Sequence, residues 1–281
     1  MIYQNRTGVW GFAGLTPQEK VTVVPRTPPI RHLPLRALAL AGFTAVLLAG
    51  CATNTASVRA PDLSGLNQTQ AESTLSQLAA RYKSNPRDKQ TVIYYAAALR
   101  AAGQPAQAVS VIEAGMAAIG NDNDLSVNYA KALSAAGRYD QALTVINNAI
   151  QPDSPDWNGL LVKGAILDQM GQNAQARAVY SQAMLVAPNE PSLEANMGLS
   201  FAMTNDLTQA EAHLKRAASM RGATSKIRQN LALVIGLEGR FDEARALFAA
   251  ELTPDQVEAN MAYMRALLTQ QNRWNTIKTG Q

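Results

Sequence analysis

The sequence has one cysteine in 281 residues, Cys51. An internal disulfide is therefore excluded, and no set of thiolates exists to hold a structural metal. Histidine is nearly as scarce, with His32 and His213 the whole supply. They cannot assemble a catalytic triad or a zinc site, and His213 reads as a surface or half-buried helix residue. The metalloprotease pattern HExxH, the phosphate loop GxxxxGK[ST] and the dinucleotide fingerprint GxGxxG are all missing. Asp140, Asp242 and Glu243 read as solvated first-turn residues that suit a helix dipole. No catalytic residue can be nominated and no metal, cofactor or small-molecule substrate is expected, so the chain reads as non-enzymatic. Apolar runs of the ~20 residues needed to span a bilayer as a helix are missing too.

The longest apolar run, Leu38 to Ala49, has twelve residues. It follows the basic Arg31, His32 and Arg36, and it ends at Leu48-Ala49-Gly50-Cys51 before the polar ATNTAS. Basic flank, short apolar run, small pair and cysteine in that order resemble a signal peptide ending in a bacterial lipobox, in which cleavage precedes the cysteine and a diacylglycerol is attached to its sulfur. Cys51 is accordingly the expected lipid-attachment residue, with residues 1–50 as the leader and 51–65 as a tether. Some thirty residues precede the basic flank, which is long for a leader, and no methionine lies between Met1 and Met116. Initiation at a non-AUG codon, for instance at Val21, Val23 or Val24, would shorten it; a long leader is the alternative. Ala52 after the cysteine is expected to direct the protein to the outer membrane, facing the periplasm.

Removing residues 1–50 also removes the net charge. That segment carries five basic residues (Arg6, Lys20, Arg26, Arg31, Arg36) and one acid (Glu19), which leaves twenty basic and twenty acidic side chains. A neutral chain gives no reason to expect nucleic acid as a partner.

From about residue 66 the chain repeats itself every 34 residues. Gly103, Gly137, Gly171, Asn205 and Gly239 align, as do Ala108, Ala142, Ala176, Ala210 and Ala244. Ala96, Ala130, Gly164, Gly198 and Ala232 form a small-residue column; Leu99, Leu133, Leu167, Phe201 and Ile235 form an apolar one. A fifth column is bulky: Ile112, Ile146, Tyr180, Leu214 and Phe248. This pattern resembles the tetratricopeptide repeat (TPR), a helix-turn-helix unit of that period. Glycine ends each first helix where the chain must turn left-handed, and Asn205 is the side chain that best tolerates that turn. The expected fold is all-α: a superhelical solenoid with a half-repeat at 66–88, five repeats over 89–254, and a capping helix and tail at 255–281. The terminal EANM at 258–261 echoes EANM at 194–197 out of phase by four residues, so the last helix, about 254–270, is an atypical cap with Val257, Met261, Met264 and Leu268 at helical spacing.

The first helix of each unit lines the inner surface of such a stack. The sixth repeat position reads Tyr94, Asn128, Val162, Asn196 and Asn230, with Asn260 in the shifted cap. Lys131, Arg100, Asp168 and Lys226 occupy other inner positions. An asparagine both donates and accepts, so a ladder of them on an exposed groove can pair with the backbone of an extended peptide. Arg100, Asn128, Lys131, Asn196, Lys226 and Asn230 are the candidate groove residues, and exposed asparagines there would carry no packing. Bonding of those asparagines to neighbouring helices or water is the other reading.

Lipobox, tether, repeats and the closing EANMAYMRALLTQQNRWNTIKTG together resemble the TadD lipoproteins of the Tad (Flp) tight-adherence pilus. The resemblance implies a protein partner in the pilus secretion apparatus, the outer-membrane secretin in particular. A general periplasmic scaffold that recruits a peptidase or cell-wall enzyme is the alternative, and a regulatory subunit of a catalytic partner chain is a third.

Overall fold

The computed structural model describes residues 3–5, 9–11 and 68–279, apart from 121, 152 and 154. Cys51, the tether and nearly all of the expected leader lie outside the described residues. Within residues 1–50 the described part is one antiparallel pair, β1 (Tyr3–Asn5) and β2 (Val9–Gly11), with Tyr3 opposite Gly11.

Twelve helices follow among the described residues. α1 (Gln68–Ser84) stands alone. Five pairs come next: α2 (Lys89–Ala101) with α3 (Pro105–Ile119), α4 (Asn123–Ala135) with α5 (Tyr139–Ala149), and α6 (Trp157–Gln169) with α7 (Asn173–Val186). α8 (Pro191–Met203) pairs with α9 (Leu207–Ser219), and α10 (Ser225–Leu237) with α11 (Phe241–Ala249). α12 (Pro254–Thr279) closes the chain. It is 26 residues long and runs well past the expected end near 270.

Local chemistry sets each boundary. The first helices begin after Asp88, Asp122, Asp156, Glu190 and Thr224, whose side chains accept N–H bonds from the first turn. Asp122, for example, accepts from Asp124 N at 2.9 Å. Such a cap contributes about 0.5–2 kcal/mol. These five residues are themselves spaced by 34, a column the sequence displays but the glycine and alanine columns overshadow. Every first helix then ends in the same double bond, illustrated by Gly137 N to Ser134 O and Arg138 N to Leu133 O. The turn residue of all five has positive φ, and Asn205, at 62°, is the one non-glycine with positive φ among the described residues.

The small and bulky columns fit as size-matched pairs. An added Cβ on Gly164 would lie 2.3 Å from the Tyr180 ring, and one on Gly198 would lie 2.9 Å from Leu214 Cγ. Repeats one and two hold Ala96 with Ile112 and Ala130 with Ile146, all buried in one cluster.

α2, α4, α6, α8, α10 and α12 pack successively side by side, and each second helix packs on the first helix of the next unit. α12 thus takes the place of a sixth first helix, against α10 and α11. Val257, Met261 and Met264 are buried there and Leu268 half-buried. β2 lies against α8 and α10. The apolar core falls into an N-terminal cluster reaching from Val92 to Ile166, a C-terminal one centred on α8 to α12, a smaller one around α6 and α7 between them, and a minor one of Leu78 with Ala98 between α1 and α2.

Cations join neighbouring units. Lys89 Nζ reaches Asp122 and Asp124 at 3.0 and 2.9 Å, and the bond to Asp124 holds its ammonium above the usual lysine value. Arg240 ties α11 to Glu211 of α9 at 2.6 Å, and Arg245 pairs with Glu258 of the cap.

Candidate functional site

The inner stripe is more deeply packed than the sequence suggests. Asn128, Asn196 and Asn230 are 5, 0 and 2 % exposed, which overturns the expectation of exposed groove positions without packing. Val162 beside them is buried as well. The reason is geometric. Helical Cβ atoms point toward the N-terminus, so a side chain as short as asparagine lies down along its own helix. Asn128 Nδ2 donates to Asp124 O at 2.8 Å, Asn196 Nδ2 to Ser192 O at 2.7 Å and Asn260 Nδ2 to Gln256 O at 2.8 Å. Asn128, Asn196 and Asn260 thereby use a donor on the carbonyl four residues back.

Asn196 Oδ1 is buried and has no hydrogen-bond partner. A buried acceptor without a donor costs about 1–3 kcal/mol. It lies on α8, one of the two helices that β2 touches.

The charged members of the stripe are half-buried. Lys131 Nζ donates to Asn158 Oδ1 of the next unit at 3.1 Å, and Arg100 and Lys226 are partly covered. Lys131 and Asn128 share α4, Asn230 and Lys226 share α10, and Arg100 sits near the end of α2. The six candidates are thus spread over four of the first helices, α2, α4, α8 and α10.

Asp168 does not face a groove. It is fully buried, and its carboxylate accepts from Ser200 Oγ at 2.7 Å, Asn173 Nδ2 at 2.8 Å and Tyr180 Oη at 2.9 Å. The sequence placed it on the inner stripe by repeat position alone; what it lacked was the set of donors from α7 and α8. Arg177 was not singled out from sequence. Its Nη1 donates to Ser200 O at 3.2 Å, and its guanidinium lies 4.6 Å over the Phe201 ring.

His213 is half-buried on α9, as its helix position suggested. Its ring stacks on Phe201 at 5.3 Å, and its Nδ1 is 2.6 Å from Glu194 Oε2. Burial by itself would raise the Glu194 carboxyl, but hydrogen bonds from His213 and Arg216 outweigh it and hold the group below its usual value. Among the described residues no cluster of His, Cys, Asp and Glu could hold a metal ion, and no helix is long and apolar enough to cross a membrane.

Comparison with known proteins agrees with this architecture. Residues 99–164 and residues 230–250 each match a family model described as tetratricopeptide repeat. A thermophilic TPR protein of Thermus thermophilus is similar in structure with a TM-score of 0.55 at 23 % identity, over 63 % of this chain and 98 % of that one. A tetratricopeptide repeat protein from Parabacteroides merdae gives 0.51 at 14 % identity, over 73 % and 83 %. The APC/C hetero-tetramer Cut9-Hcn1 gives 0.55 at 13 %, over 74 % and 40 %. At these identities the likeness is one of fold. No curated protein sequence matches the chain.

Proposed function

We propose that this tetratricopeptide-repeat protein, whose repeats make it a scaffold for binding other proteins, is a lipid-anchored outer-membrane adaptor in the assembly of a Tad (Flp) pilus secretion machine. TPR stacks are in general non-catalytic, so its work is to hold a partner. The observation that carries the binding role is Asn196 Oδ1, a buried acceptor left without a donor on the inner face of the stack. A backbone N–H of an extended segment supplies the missing donor once that segment displaces what covers α8, with Asn230 on the neighbouring α10. The lipobox at Cys51 supports the anchor, and the closing EANMAYMRALLTQQNRWNTIKTG supports the pilus assignment, with the secretin as first candidate partner.

Asn196→Leu separates binding from folding. Leucine removes the unpaired acceptor, so the melting temperature should hold or rise. Affinity for the partner should fall by about two- to ten-fold, the worth of one net hydrogen bond. Lower stability with full affinity would make Asn196 a packing residue and remove the support for the groove. The partner itself comes from a pull-down of the lipidated protein from envelope fractions with mass spectrometry. Recovery of the secretin or another pilus component is expected; recovery of a peptidase or cell-wall enzyme alone would replace the reading with a general periplasmic scaffold.

The anchor has its own check. Cys51→Ser is expected to abolish labelling by a fatty-acid analogue and to leave uncut precursor in cells. Labelling that persists would place the lipid elsewhere, and density fractionation to the inner membrane would overturn the sorting expected from Ala52.

A further inference from the structure

The N-terminal hairpin has no part in that function, yet it lies on the same helices. β2 (Val9–Gly11) packs against α8 and α10, the first helices of repeats four and five, which carry Asn196 and Asn230. Contact with two neighbouring first helices places it on the inner face of the stack. Leu199 and Leu233, at the repeat position that Lys131 holds in α4, are 2 and 6 % exposed on those two helices. Lys131 itself is half-buried.

We propose that the hairpin of β1 and β2 is a cis occupant of the partner site: it closes the inner face of repeats four and five in the uncut chain, and cleavage before Cys51 opens that face. This role rests on the reading of the face as a groove for an extended segment. Two strands of three residues do not hold together alone in water, so the helices beneath supply what keeps the pair formed. β2 is paired with β1 along one edge, Gln4 standing opposite Trp10, and no third strand joins the sheet among the described residues. Its other edge therefore carries backbone N–H and C=O groups without a strand neighbour, the groups that an extended partner would bring to the groove.

The fit is incomplete, and that makes the occupant displaceable. With β2 against α8, Asn196 Oδ1 still lacks a donor. A segment that brings an N–H to that oxygen has an advantage of about two- to ten-fold over the hairpin. The hairpin belongs to the same chain, however, so it competes without the loss of translational freedom that a separate partner suffers on binding. Removal of residues 1–50, the expected leader, ends that competition. Binding is thereby withheld from the precursor and offered by the anchored protein.

Hydrogen exchange followed by mass spectrometry tests the closure on the full chain, kept uncut by Cys51→Ser, with and without Trp10→Pro. Proline at the centre of β2 breaks the strand and leaves every residue of the repeats unchanged. Protection of α8 and α10 is expected to fall by about three-fold or more in the proline variant. The processed protein, measured in the same detergent, should match that variant, and α2 and α4 should exchange alike in all three. A second measurement places p-benzoylphenylalanine at Gln229, half-buried on α10. Photo-cross-links to residues 3–11 are expected in the uncut chain and should disappear with Trp10→Pro. Cross-links confined to other helices, or exchange at α8 and α10 that is indifferent to both the proline and the cut, would overturn the cis occupancy. Neither measurement involves a pilus component, so a pull-down that recovers none would remove the pilus assignment alone.

Discussion

Gly164→Ala is expected to lower the stability of the stack by about 3–5 kcal/mol, through one methyl group. The new Cβ would stand 2.3 Å from Tyr180 Cε1 and 2.7 Å from Cδ1, and a ring, unlike a flexible chain end, cannot yield by rotating one terminal bond. Overpacking of this kind costs about 1–3 kcal/mol. Displacing the ring also breaks its hydrogen bond to Asp168 at 2.9 Å, and a bond to a charged partner is worth about 1.5–3 kcal/mol. At about 2–4 °C per kcal/mol for a chain of this size, the melting midpoint should drop by roughly 6–20 °C. Since a solenoid is held by nearest-neighbour interfaces, the third repeat is expected to lose hydrogen-exchange protection first. The double variant Gly164→Ala with Tyr180→Ile copies the pairing of Ala130 with Ile146 and should recover the packing part of the loss. A single variant that melts with wild type would show that the small column is not matched to the bulky one.

Removing the terminal helix is the second large effect. A chain ending at Leu252 keeps the pairing of Arg228 with Glu251 but loses Val257, Met261 and Met264, all buried against α10 and α11. Burial of each such side chain contributes about 1.5–3 kcal/mol, so the loss approaches the stability of an average domain, about 5–15 kcal/mol. Met264 shows how closely the helix is seated, since its Sδ fills the space a Cβ on Gly236 would need, 1.8 Å away. The truncated protein is expected to aggregate at micromolar concentration or to melt in two steps, repeat five before the rest, by light scattering and calorimetry. A monomer with an unchanged melting curve would show that α11 can end the stack unaided.

The helix register was legible in the sequence because it depends on local chemistry repeated five times. Glycine in the left-handed turn, Asn205 as its substitute, and alanine where helices touch are demands of the backbone itself, and the first helices begin at 89, 123, 157, 191 and 225, in step with the repeat. The cap residues Val257, Met261 and Met264 were legible for the same reason, since an open apolar end needs an apolar stripe to cover it. The 34-residue column of N-caps could have been read as well: Asp88, Asp122, Asp156 and Glu190 each precede a first helix by one residue.

The inner face was another matter. Repeat position tells which side of a helix a residue occupies, and by that measure Asn196 and Asp168 look alike. Whether a side chain on that side meets solvent depends on how closely the next helix stands and on what that helix donates. Asp168 is enclosed because Tyr180, twelve residues on, and Ser200, 32 residues on, converge on it from different helices. Asn196 is enclosed and left with a free oxygen because its donor reaches Ser192 O and nothing reaches back. Sequence alone determined the fold, the starts of the first helices and the capping stripe, since each follows from interactions within about one repeat of the residue concerned. Tertiary structure alone decided which inner residues are buried, which of them is short of a partner and where a carboxyl group is trapped, because desolvation is a property of everything that surrounds a group and not of its own place in the chain.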